Sequence, residues 1–146
     1  MDWTKQRCWE DVAPHDVILM HSDMQPPADD HDGRWYRDLC AWSQRLPDGG
    51  AVACNLLYPP GDGRPDGLVQ CAGGTLSGTN IDYLGSSGDL MYSPALAVVR
   101  EVDWVTFGGV LLRRAALDDC GPLDPGYRWG YVRDVDYSLE MRRRGR

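Results

Sequence analysis

An α/β fold in one domain is what three stretches of this sequence predict. Val17, Ile18, Leu19 and Met20 form a short apolar run rich in branched side chains, bounded by Asp16 and by Pro26-Pro27, and read as a buried strand entering a loop. Over 34–46, Trp35, Leu39, Trp42 and Leu46 recur at helical spacing and predict a helix with one apolar stripe. Pro47-Asp48-Gly49-Gly50 then stops that helix, and the mostly apolar AVACNLLY of 51–58 predicts a second strand. Strand, helix, tight turn and buried strand in that order belong to layered α/β architectures.

Composition sets the outer limits. With 146 residues and 42% hydrophobic content the chain suits one globular domain with a real core. A formal charge of -7 and a pI near 4.8 argue against a nucleic-acid binder, although Arg142-Arg143-Arg144-Gly145-Arg146 is locally basic. Five widely spaced cysteines without a CxxC pair suggest neither a zinc site nor a complete disulfide framework, which suits a reducing cytoplasm. No signal pattern and no run of about 18 apolar residues is present, so any membrane association is expected to be peripheral.

The first loop, His21-Ser22-Asp23, follows a strand, where ligands of open α/β sheets bind and where a carboxylate can hold a hard cation; an Asx turn explains Asp23 equally simply. Asp29, Asp30, His31 and Asp32 are expected to cap the next helix by carboxylate contact with its amino terminus. Residues 59–67, PPGDGRPDG, read as an exposed turn or hairpin tip. The Gly-, Ser- and Asn-rich 71–94 reads as a long functional loop or lid.

Alternation through Glu101, Val102, Asp103 and Trp104 predicts a strand running on towards Gly108-Gly109. The two glycines permit either a ligand's close approach or a plain kink. A short helix over 113–119 ends at Gly121-Pro122. In GYRWGYVRDVDYSLEMRRRG, Asp134 and Asp136 open a final helix whose apolar face includes Val135 and Leu139 and whose basic end matches the helix dipole. Residues two apart do not share a helix face, so one aspartate can point into a site while the other caps the helix; capping alone also accounts for both.

Taken together, the strand ending in HSDM, the helix, GAVACNLLYP, QCAGGTL, REVDWVTFGGVLLRRAAL, GPLDPGY and GYVRDVDYSLEMRRRG resemble the family 2 glycosyltransferases of the GT-A fold, especially the rhamnosyltransferase-like bacterial enzymes. The resemblance spans 16–146 and is densest over 100–145. It implies a partial GT-A, Rossmann-like mixed sheet flanked by helices, and an inverting transfer of a sugar from a nucleotide-diphosphate donor to an acceptor hydroxyl. By the same resemblance, Asp23 matches the last aspartate of a DxD-type motif that contacts a divalent cation, Mn or Mg, and His21 stands where the first acidic residue would be. Such a cation offsets charge on the leaving diphosphate. Asp134 matches the general base, held ionised at a helix amino terminus, with Arg133 in place of the usual preceding acid. Gly108, Gly109, Trp129, Gly130, Arg133 and Asp136 match the acceptor side.

The whole chain, 1–146, is thus expected to be one shortened GT-A domain, with 1–15 an atypical leading segment where the family has its nucleotide-binding half. The implied partners are a nucleotide-sugar donor and a saccharide or lipid-linked acceptor of polysaccharide or glycoconjugate synthesis, and no nucleic acid. The implied place is the cytoplasm, at most peripheral on the inner membrane face. The alternative is a noncatalytic carbohydrate-binding or interaction module derived from the same fold. Without flanking strands beside DVILM an apolar edge is exposed, so the isolated chain is expected to form homo-oligomers or to need a partner chain. Size-exclusion chromatography with light scattering checks this; a monodisperse monomer that unfolds cooperatively counts against it.

Overall fold

The run at 17–20 forms strand β1 (Val17–Met20), and the helical stripe forms α1 (Arg34–Arg45). The computed structural model describes residues 11–61, 63–85, 88–127 and 132–146. Asp30 caps α1 as expected of the acidic cluster: its carboxylate accepts from the amides of Arg34 at 2.6 Å and Trp35 at 3.1 Å. Asp32 instead pairs with Arg37 at 2.7 Å on the surface. Leu39 is buried on the apolar stripe, while Trp35 and Trp42 are only half-buried and Leu46 is exposed.

The strand expected over 51–58 forms in two pieces, β2 (Ala51–Ala53) and β3 (Leu56–Leu57). The two belong to different sheets. The chain shears at Cys54-Asn55, where Cys54 still donates to Gly109 but the Asn55 side-chain amide donates to the Leu96 carbonyl instead of a strand partner. Strand β3 pairs antiparallel with β4 (Val69–Cys71), so the Pro- and Gly-rich 59–67 is the hairpin tip the sequence predicts.

The long loop expected over 71–94 is largely a second hairpin, β5 (Gly74–Ser77) with β6 (Asn80–Tyr83), closed by Gly78-Thr79. Gly78 has φ +61°, the left-handed backbone such two-residue turns require. That Gly-X pair between TLS and NIDY was the signal for a hairpin. Of the strand expected over 97–114, the part before Gly109 does not form: Trp104 makes only an isolated bridge to Gly74, and Asp103 turns inward to accept from the Leu76 amide at 2.7 Å and to pair with Arg142. A β-carbon on Gly74 would overlap the Trp104 indole, whose face also meets Tyr83 edge-on at 4.8 Å.

Regular pairing resumes at β7 (Gly109–Leu112), the central strand of a three-stranded sheet ordered β1-β7-β2. It is antiparallel to both neighbours, so β1 and β2 run parallel to each other across it. Every described pairing is antiparallel and the sheets are small. The α/β class therefore holds, but no Rossmann-like run of adjacent parallel strands occurs among the described residues. The crossover through α1 places β2 one strand away from β1, and β7 fills the gap in the opposite direction.

Two helices follow, α2 (Arg114–Cys120) and α3 (Arg133–Arg143). The expected apolar face of α3 is rotated: Val135, Tyr137, Ser138 and Met141 are buried and Leu139 is 41% exposed. Tyr137 and Met141 join Phe107, Val110, Leu112, Ala116 and Leu117 in the main core. Among the described residues no helix is long and apolar enough to cross a membrane.

Val110 and Leu112 are both 0% exposed. Leu112→Ala is expected to destabilise the chain by about 2–5 kcal/mol. Leu139→Ala, on the same reasoning, should change stability by less than about 0.5 kcal/mol. Denaturant midpoints of the two variants check this.

Candidate functional site

The loop after β1 is a tight turn, with the Met24 amide donating to the His21 carbonyl at 3.1 Å. His21, Ser22 and Asp23 are exposed on it, while Met24 folds inward against Leu56, Cys71, Trp104 and Val135. Val135, in the first turn of α3, belongs to the same apolar cluster, which brings the β1 loop and that helix turn together. The turn is closed by the backbone, not by an Asp23 side-chain bond, and Asp23 is exposed.

Asp134 lies half-buried in that first turn. It accepts from the Val135 amide at 2.9 Å, and the Phe107 amide also hydrogen-bonds it. The helix cap itself is Val132, in a left-handed conformation with φ 64° and no side-chain cap bond, so Asp134 serves the free first-turn amides from inside the helix. Burial is the largest influence on its carboxyl and pushes its pKa above the ordinary value; the backbone amides and the charge of His21 pull the other way without reversing it. Burial therefore outweighs the helix terminus that was expected to hold this group ionised. His21 and Asp134, distant in sequence, share one electrostatic neighbourhood, and Cys71 feels the Asp134 charge as well.

Arg133 and Asp136 serve the preceding loop. Arg133 donates through Nε to the Tyr127 carbonyl at 2.9 Å and through Nη2 to the same oxygen, and the Tyr127 hydroxyl meets Asp136 Oδ1 at 3.2 Å. The Asp136 charge raises the Tyr127 hydroxyl pKa above its usual value. These two side chains thus position 124–127 against α3. Trp129 and Gly130 lie outside the described residues.

Gly108 and Gly109 do permit a close approach, and Leu56 makes it: a β-carbon on Gly108 would fall 2.7 Å from Leu56 Cδ1, and one on Gly109 3.5 Å from Cδ2. Sequence reasoning missed Met24, Cys71 and the Phe107 amide. Met24 was legible as an apolar residue inside a polar loop, whereas a backbone donor carries no residue signature.

Among the described residues, no three His, Cys, Asp or Glu side chains gather to hold a metal ion. The donors do not suit an all-protein cage. The exposed Asp23 carboxylate suits a Mg- or Mn-type ion that keeps its waters and is shared with a ligand's phosphates.

Comparison with protein-family models, curated proteins and solved structures gave no match. The site is accordingly read from its own chemistry.

The raised Asp134 pKa has a defined sign. A carboxyl whose folded-state pKa lies above its unfolded value binds more protons when folded, so its contribution to stability is greatest at low pH and falls as pH rises through that interval. Asp134→Asn is expected to be at least as stable as the parent at pH 7–8, with the difference narrowing as pH falls towards the ordinary carboxylate range. Thermal unfolding of both chains across pH 5–8 checks this.

Proposed function

We propose that this chain is an inverting glycosyltransferase domain of GT-A type, or part of one, that transfers a sugar from a nucleotide-diphosphate donor to an acceptor hydroxyl. The observation that carries this reading is the meeting of two distant segments, the exposed turn at the end of β1 with His21 and Asp23, and the first turn of α3 with Asp134.

Asp134 acts as the general base. A raised pKa makes its carboxylate a stronger proton acceptor. As the acceptor oxygen bonds to the anomeric carbon, its proton passes to Asp134 and the bond to the leaving diphosphate breaks, inverting the centre. The Val135 and Phe107 amides hold the carboxylate in place while it does so. Asp23 would hold a divalent cation, which when bound would supply positive charge to the leaving group. Arg133 and Asp136 position the loop on the acceptor side through Tyr127.

A second reading, a noncatalytic carbohydrate-binding module, is favoured by one fact: Arg133, in place of an acid, is bound to the Tyr127 carbonyl. Turnover separates the two. With UDP-, GDP- and dTDP-sugars and manganese, metal-dependent donor hydrolysis or transfer is expected. Asp134→Asn should lower it by at least about 100-fold while leaving nucleotide binding intact. Asp23→Ala should abolish metal-dependent binding of the nucleotide in calorimetric titration. Nucleotide binding without turnover points to the module, and neither binding nor turnover in any mixture overturns the enzyme reading of this chain.

A further inference from the structure

Asp134 and Ser138 stand four residues apart on α3, one turn along the same face of the helix. Ser138 is only 4% exposed. A serine buried inside a helix gains little there, because its hydroxyl competes with the backbone and fills no apolar space. This one has two backbone partners. Its Oγ donates to the Asp134 carbonyl at 2.6 Å and accepts from the Val105 amide at 3.2 Å. The first bond is the ordinary one for a helical serine. The second crosses 33 residues of chain to the irregular segment between Trp104 and β7.

Phe107 lies two residues past Val105, and its amide reaches the Asp134 carboxylate. The segment 105–107 therefore meets α3 at two points one turn apart, Val105 on Ser138 and Phe107 on Asp134. Apolar packing brings the segment to the helix: the Phe107 and Tyr137 rings meet edge-on at 6.1 Å inside the main core. Such packing has no preferred direction and tolerates sliding along the helix, whereas a hydrogen bond holds its partners at a set length and angle. The Ser138 hydroxyl supplies that fixed point, and with it the place where the Phe107 amide falls.

We infer that Ser138 is a positioning residue for Asp134. By gripping Val105 it sets the 105–107 segment so that the Phe107 amide meets the carboxylate, which the Val135 amide already holds from within the helix at 2.9 Å. Amides from two different elements then leave the carboxylate one orientation. The use of that carboxylate as a base rests on the glycosyltransferase reading; the grip on Val105 does not.

The test uses the full ¹⁵N-labelled chain and reads the Phe107 amide. Ser138→Ala keeps the helix, since alanine is the better helix former. In that variant the Phe107 amide resonance is expected to move towards its position in Asp134→Asn. It should also exchange with solvent about tenfold faster relative to the amides of β7, the equivalent of one net hydrogen bond. Ser138→Thr keeps the hydroxyl and should retain the parent's resonance and exchange. Met141→Ala, which loosens the same helix against the core without touching this bridge, should displace neither. With a nucleotide-sugar donor and manganese, Ser138→Ala should lower kcat about tenfold at an unchanged KM for the donor. An unmoved Phe107 amide in Ser138→Ala overturns the proposal, as does the same displacement in Ser138→Thr or Met141→Ala. So does a displaced amide with kcat unchanged in an active parent, which would leave the hydroxyl a structural bond alone. A parent chain without turnover fails the glycosyltransferase reading instead, and the amide responses then decide the role of Ser138 by themselves.

Discussion

The main body of this molecule depends on the burial of one four-residue strand, β7. Its ladder bonds hold β1 on one side and β2 on the other, and its side chains Val110 and Leu112 form the centre of the core that α2 and α3 cover. The residues just past its end extend that control. Arg113 donates to the carbonyls of Ser43, Leu46 and Pro47 and closes the carboxyl end of α1, whose last carbonyls have no partner within the helix. The Arg114 amide donates to Asp16 at 2.7 Å, so the residue before β1 caps α2. One short apolar run thus fixes three helices and two strands, because each polar end it leaves is satisfied by an element it has already brought close.

Legibility in the sequence followed the range of the interaction. Helix α1, its Asp30 cap and the turn at 59–67 were readable because spacing, cap and punctuation all lie within a few residues. The break of 51–58 into two sheets was not: Ala51 to Tyr58 is mostly apolar, and what divides it is an Asn55 bond to a carbonyl 41 residues away. The missing strand at 97–105 failed for a related reason. Its alternation was real, but Asp103 is held by Leu76 and Arg142 from two other elements, which tertiary contact decides and local pattern does not. The rotated face of α3 has the same origin, since Tyr137 reaches the Gly121 carbonyl at 2.8 Å and Ser138 bonds the Val105 amide, drawing that side inward.

At the candidate site several of the residues singled out serve the frame. Asp134 could be picked out by type and position, while the rise in its pKa comes from burial, which no spacing reveals. Arg133 and Asp136 were legible as polar residues beside it, yet their partners lie in one tyrosine, Tyr127. Residue type alone does not distinguish a buried carboxyl from polar side chains that tie down a neighbouring loop.

The contact between Gly74 and Trp104 bears on how this chain can change over evolutionary time. The β5–β6 hairpin is mostly exposed, so most of its side chains are free to drift. Its attachment is not: the indole of Trp104 occupies the space a side chain at Gly74 would need. Variation among related chains should therefore be dense across 75–82 and absent at this glycine, and any lineage that lost it would have to replace the tryptophan and also shift the Asp82 carbonyl, which the same β-carbon would overlap.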